Sequence, residues 1–242
     1  MSSQNGSLHG IESILAPLRA SPSPLLIWHG PSGERVELSG RVFDNWVAKS
    51  ANLLSEEYDA GPGTCVAFAA PAHWKTLALA FAAWQLGARV VISDAEGAAD
   101  LGADLVVTDA PETVEADEIL AVALGSLALN FGAELPSGAL DYAAEVRSFG
   151  DVAFPESVAA GAGALTTALG TLTFGELVAP AGGDGGTAAF VADDHEADEP
   201  ALGAALRAAV VQFGRGDALV LFGRGVEARE ALLAQERAVR RI

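Results

Sequence analysis

Residues 34–94 read ERVELSGRVFDNWVAKSANLLSEEYDAGPGTCVAFAAPAHWKTLALAFAAWQLGARVVISD. Arg35–Leu38 predicts a short strand, and Ser39 caps a long helix. Gly61-Pro62-Gly63 turns the chain into the strand Cys65–Ala69. A second helix is predicted over Ala72–Leu86, after which Gly87-Ala88 leads into the strand Arg89–Ser93. Cys65–Ala69 is apolar without alternation, as expected of a parallel strand covered on both faces. The helix Ala72–Leu86 is apolar almost all round, which argues for burial between the sheet and another layer. Strands and helices joined by short turns predict an α/β fold, a mostly parallel sheet with helices on both faces.

The flanks repeat the alternation more weakly. Ile11–Ala20 has helical spacing and is stopped by Ser21-Pro22-Ser23-Pro24, and Leu25–Trp28 is a short strand. His29-Gly30-Pro31-Ser32-Gly33 reads as a hairpin turn back into Arg35–Leu38. In the helix after Ser39, Val42, Phe43, Trp46, Val47, Ser50, Leu53 and Leu54 share one face. Downstream, Asp104–Thr108 and Ile119–Leu124 read as strands. From Gly125 to Phe154 the pattern is poor, apart from a helix over Tyr142–Phe149. Thr173–Ala179 reads as helix and Thr187–Ala192 as strand. Asp198, Glu199 and Pro200 open a helix with acid at its positive end. Ala218–Phe222 is a strand, and Val226–Arg240 reads as a final helix. One domain over residues 1–242 is expected.

Composition narrows the function. The 32 acidic and 14 basic residues give a formal charge of −18, a field that repels phosphate backbones and argues against a nucleic-acid partner. The charge itself reads as solubility. Lys49 and Lys75 are the only lysines. Cys65 sits in an apolar strand and reads as packing. The first ten residues lack a basic start and an apolar run. No stretch reaches the roughly 20 apolar residues that span a bilayer. The expectation is a cytoplasmic protein without a membrane partner.

The stretch resembles the N-terminal part of the adenylate-forming enzymes: acyl- and aryl-CoA synthetases, peptide-synthetase adenylation domains and luciferases. Val36-Glu37-Leu38-Ser39 and its helix match that family's strand and helix near "TYxEL". Gly61-Pro62-Gly63-Thr64-Cys65-Val66 matches the turn near "GxGDRV", and Gly87-Ala88-Arg89-Val90-Val91 matches the "AG" before the next strand. The resemblance is good over Pro24–Thr108 and thin beyond. It implies a scaffold more than a chemistry. The family's phosphate loop is a Ser/Thr/Gly-rich run ending in lysine, followed by a stretch like "LTHxNL". Leu172-Thr173-Phe174-Gly175-Glu176-Leu177 matches that tail, which places the loop on Gly161–Ala168 with candidate nucleotide contacts at Gly161, Gly163, Thr166 and Thr167. Ala168 stands where the lysine belongs, so the cation of a phosphate cradle is missing. The sequence stops before the family's adenine, ribose and C-terminal lysine motifs, as in a small bacterial family of short stand-alone proteins with this truncation.

Other candidates read more simply as structure. Gly223-Arg224-Gly225-Val226-Glu227-Ala228 follows a strand, as a dinucleotide fingerprint does, but a tight turn uses the same glycines and the acidic residue expected about 20 positions on has no strand to carry it. His195 lies among Asp193, Asp194, Glu196, Asp198 and Glu199 without regular ligand spacing. His73 and Trp74 open the second helix beside Pro71 and read as packing. No Ser, Thr or His constellation signals hydrolysis. The expectation is therefore a non-catalytic binding or assembly protein with no cofactor, catalytic residue or metal, acting as a homo-oligomer or with a protein partner. The alternative is a protein that holds ATP or AMP with Mg²⁺, or an acyl-adenylate, and needs a partner for the missing half.

Overall fold

The computed structural model describes residues 10–100, 102–180, 182, 184–195 and 200–242. Helix α1 (Glu12–Leu18) leads to the hairpin of β1 (Pro24–His29) and β2 (Arg35–Ser39). Helix α2 (Gly40–Tyr58) starts where the Ser39 hydroxyl accepts from the Val42 amide at 3.3 Å. Next come β3 (Cys65–Ala69), α3 (Trp74–Gln85), β4 (Arg89–Ile92), α4 (Ala95–Asp100), β5 (Leu105–Thr108) and β6 (Ile119–Ala121). Then follow β7 (Ala139–Asp141), α5 (Tyr142–Glu145), β8 (Gly163–Thr167), β9 (Gly170–Thr173) and α6 (Phe174–Leu177). The chain continues through β10 (Ala188–Val191), α7 (Ala201–Gly214), β11 (Leu219–Phe222), α8 (Glu230–Gln235) and β12 (Arg240–Arg241).

The alternation read as one sheet is divided over two. Five strands run in the order β12-β10-β11-β1-β2, and seven in the order β7-β6-β5-β3-β4-β8-β9. Each sheet is parallel except for one antiparallel edge strand, β2 or β9. The main core takes Leu26, Trp28 and Leu221 from the first sheet and Val66, Phe68 and Val107 from the second. The alternate residues Ile27 and Val220 face α8, while Ala67 and Val106 face α4. Helices α2, α3 and α7 therefore lie between the sheets, which is why every residue of α3 from Trp74 to Gln85 is buried. Phe43, Phe81 and Phe213 meet edge-on and tilted at 5.2–5.6 Å where these helices touch.

Several elements differ from the sequence reading. The predicted final helix over Val226–Arg240 is helical only at Glu230–Gln235. Arg237 takes a φ of 55°, the chain turns, and β12 adds to β10. The Glu236 carboxylate, drawn inward onto β1 and β2, ends the helix there. The predicted helix over Tyr142–Phe149 gives way to a tighter 3₁₀ turn at Val146–Ser148. The acidic opening at Asp198 and Glu199 lies outside the described residues, and α7 begins after Pro200. Among the described residues no helix is long and apolar enough to cross a membrane.

Candidate functional site

Parallel strands of both sheets end on one side of the molecule, over a crevice of about 920 Å³. Ala69, Asp94, Asp109, Leu124, Ala192 and Arg224 line it, each at or just beyond the end of a different strand. In the larger sheet β3 sits between β4 and β5, so the chain leaves it toward both sides. Ligands of open α/β sheets bind at such a reversal. The N-terminal turn of α7, from Pro200 to Leu202, closes the opposite wall.

Polar groups on the walls are held from behind. The Asp94 carboxylate accepts from the Gly97 amide at 2.7 Å. Burial pushes the Asp109 carboxyl above its ordinary range. The turn carrying Arg224 is pinned at both ends: the Gly223 amide donates to the His29 carbonyl at 2.9 Å, and the Gly225 amide to the Asp193 carboxylate at 3.0 Å. A Cβ on Gly223 would stand 3.3 Å from the His29 carbonyl and from Trp28 Nε1, so a larger residue would push this close approach apart by a few tenths of an ångström.

His73 lies near the Pro71 and Ala72 wall and is structural. Its Nδ1 accepts from the Lys75 amide at 3.1 Å, while its own amide donates to the Thr76 hydroxyl at 3.0 Å, a reciprocal cap on α3. The ring packs edge-on against Trp28 at 4.3 Å. Burial, helped by the Lys75 charge, pushes its pKa down to about 3, with the Leu124 carbonyl opposing. Lys75 reaches away, its Nζ donating to the carbonyls of Ala123 at 2.6 Å and Gly125 at 2.7 Å. Burial first, then Arg147, lowers Lys75 to about 8 against the pull of Glu34 and Asp141. Lys49 Nζ donates to the Phe149 carbonyl. Both lysines of the chain thus anchor loops.

The four residues expected at a phosphate loop are placed differently from that expectation. Gly161 is exposed in a turn, whereas Gly163, Thr166 and Thr167 belong to β8, which pairs with β4 on one side and β9 on the other. Thr166 and Thr171 share a hydroxyl hydrogen bond at 2.9 Å, and the Thr167 hydroxyl accepts from the Leu169 amide at 3.1 Å. Only Ala168 and Leu169 join the strands. The small residues read as an open loop form a closed hairpin, because Leu165 packs into the core and both strand edges of β8 are taken. This hairpin does not present the lysine-tipped phosphate cradle that the resemblance implies.

The remaining candidates separate. Gly223–Gly225 is a turn followed by irregular chain, and α8 opens only at Glu230. His195 stacks on Phe190 at 4.3 Å, Asp194 pairs with Arg241, and no three ligand-type residues converge among those described. Glu196, Asp198 and Glu199 lie outside the described residues. A cluster not foreseen joins His29 Nε2 to Glu236 Oε1 at 3.0 Å, with Arg35 donating to both Glu236 oxygens at 2.8 and 2.9 Å. His29 and Glu236 stand 207 positions apart, and neither has a local motif.

The fold has solved counterparts. The Brucella canis acyl-CoA synthetase superposes with a TM-score of 0.77 at 16% identity, over 98% of this chain and 47% of that one. A Mycobacterium tuberculosis fatty acyl CoA synthetase gives 0.67 at 16% identity, over 95% and 48%. The Klebsiella oxytoca NpsA N-terminal subdomain, solved with 3-hydroxyanthranilyl-AMSN, gives 0.68 at 14% identity, over 100% and 62%. The chain thus has the fold of the N-terminal part of adenylate-forming enzymes, and spans about half the length of the two synthetases. In sequence, a Mycobacterium tuberculosis protein whose name states a family and no activity is 39% identical over 156 residues, 60% of this chain and 62% of that protein. No protein-family model matches the chain.

Proposed function

We propose that this protein binds a small ligand in the crevice at the strand ends and carries out no adenylation. The closed β8–β9 hairpin carries the reading: a two-residue turn replaces a cation-bearing loop, and Lys49 and Lys75 are committed elsewhere. The crevice, mostly apolar with a few convergent polar groups, has the character and size of a small-molecule site. A cytoplasmic setting fits the single reduced, buried Cys65. An assembly role is supported by Leu127, Leu129, Val152 and Phe154, large apolar side chains left exposed on two loops that Arg147 and Asn52 tie down.

A second reading keeps the nucleotide. A hollow of about 200 Å³ beside the hairpin is lined by Thr167, Gly170, Thr171 and Arg207, which would place a guanidinium where the lysine is missing. A thermal-shift titration with ATP, AMP and Mg²⁺, run beside pyrophosphate exchange with mixed carboxylic acids, separates the two. The binding-protein reading expects no shift and no exchange at millimolar nucleotide. A micromolar nucleotide site would add about 4 kcal/mol by mass action, and that stabilisation would move the second reading to first place.

A further inference from the structure

The crevice has a neighbour. A second hollow of about 410 Å³ is lined by Asp109, Val122, Leu124, Ala128, Asn130 and Phe131. Leu124 and Asp109 line both spaces. The backbone on either side of Leu124 is held in an unusual way. One ammonium, Lys75 Nζ from α3, grips the carbonyls of Ala123 and Gly125, which flank it. One residue further, the Ser126 amide and hydroxyl both donate to Glu34 Oε1 at 3.1 and 2.8 Å. Glu34 belongs to the β1–β2 turn, so the segment is fastened to α3 and to the smaller sheet at once. The polar anchors act on main chain and on Ser126. The Leu124 side chain makes none of them and is half-buried, packed against the main core on one side.

We propose that Leu124 is a latched partition that sets the length of ligand the crevice accepts. The inference rests on reading the crevice as the ligand site. With Leu124 in place the ligand ends at the wall. Without its side chain the two spaces join into one longer slot, while Lys75 and Glu34 still hold the backbone. Asp94 and Asp109 on the walls fit a ligand with an apolar or aromatic body and a polar end that donates hydrogen bonds.

Two fluorescent dyes test this: 1-aminoanthracene, a short aromatic amine, and Nile red, a longer neutral one. The expected result is that the native protein binds 1-aminoanthracene, and that Leu124→Ala tightens Nile red about fivefold or more while changing 1-aminoanthracene less than twofold, a gain on the order of 1 kcal/mol. Leu124→Met, nearly equal in volume, should leave both dyes unchanged. Lys75→Met, which removes the latch and keeps the apolar stem, should also tighten Nile red. Binding of 1-aminoanthracene with Nile red indifferent to Leu124→Ala would overturn the partition and leave the crevice reading intact. Failure of both dyes to bind the folded native protein would overturn both.

Discussion

Between pH 6.5 and about 4.5 the unfolded chain takes up a proton at His73 that the folded chain refuses. Burial holds the folded pKa down to about 3 against an ordinary value of 6.5. The contribution of His73 to stability is whole above pH 6.5 and is lost as pH falls toward 3, at about 1.4 kcal/mol per pH unit. His29, lowered by burial against the pull of Glu236, acts in the same direction. His73→Asn keeps a cap acceptor for the Lys75 amide and removes the titration. Thermal melts of that variant should lose less stability than the native protein between pH 7 and about 4.5, and equal slopes would contradict a neutral buried His73. Gly87 makes a second point at this scale. Its φ of 78° and a Cβ position 3.2 Å from Pro62 Cγ mean that Gly87→Ala should cost about 1–3 kcal/mol, read from denaturant melts.

Among the elements, α8 and β12 depend on one side chain. Glu236→Ala leaves buried His29 without its partner and Arg35 with Glu37 alone. The expected outcome is a loss of about 1–3 kcal/mol, with amide exchange rising over residues 226–242 more than elsewhere. Uniform exchange would show that packing of Leu232 and Leu233 suffices to hold the segment. The same stretch shows where a sequence can mislead. Val226–Arg240 carries helical spacing, but a carboxylate pulled toward partners some 200 positions away ends the helix, and no local pattern encodes that pull. By contrast, α2, β3, α3 and β4 were readable because Ser39, Gly61–Gly63 and Gly87 mark their ends and their apolar periods are long. Strand β8 was hidden by its small residues, which suit a loop as well as a strand until a neighbour claims their edges. The crevice was not legible: Pro71 and Arg224, which line it, fell in stretches read as a helix start and a tight turn, and the latch over residues 123–126 acts mainly on main chain and leaves little trace in residue type.

At the scale of the whole molecule, the two sheets share one helical filling. Phe81 lies at the centre of it, against Phe43, Trp84 and Phe213. Phe81→Ala should cost about 3–5 kcal/mol, and calorimetry should still show a single transition, since both sheets pack onto the same helices in one shared main core. Two separate transitions would mean that the sheets melt independently. The pairing of β1 with β11 carries a further consequence, for synthesis on the ribosome. Leu26 needs Leu219 beside it, so β1 must wait for a strand made about 190 positions later. At about 5–20 residues per second that delay is about 10–40 s. During this interval α2 and α3 emerge with one of their two covers incomplete, and the apolar surface they leave open is of the kind that chaperones shield until β10 and β11 arrive.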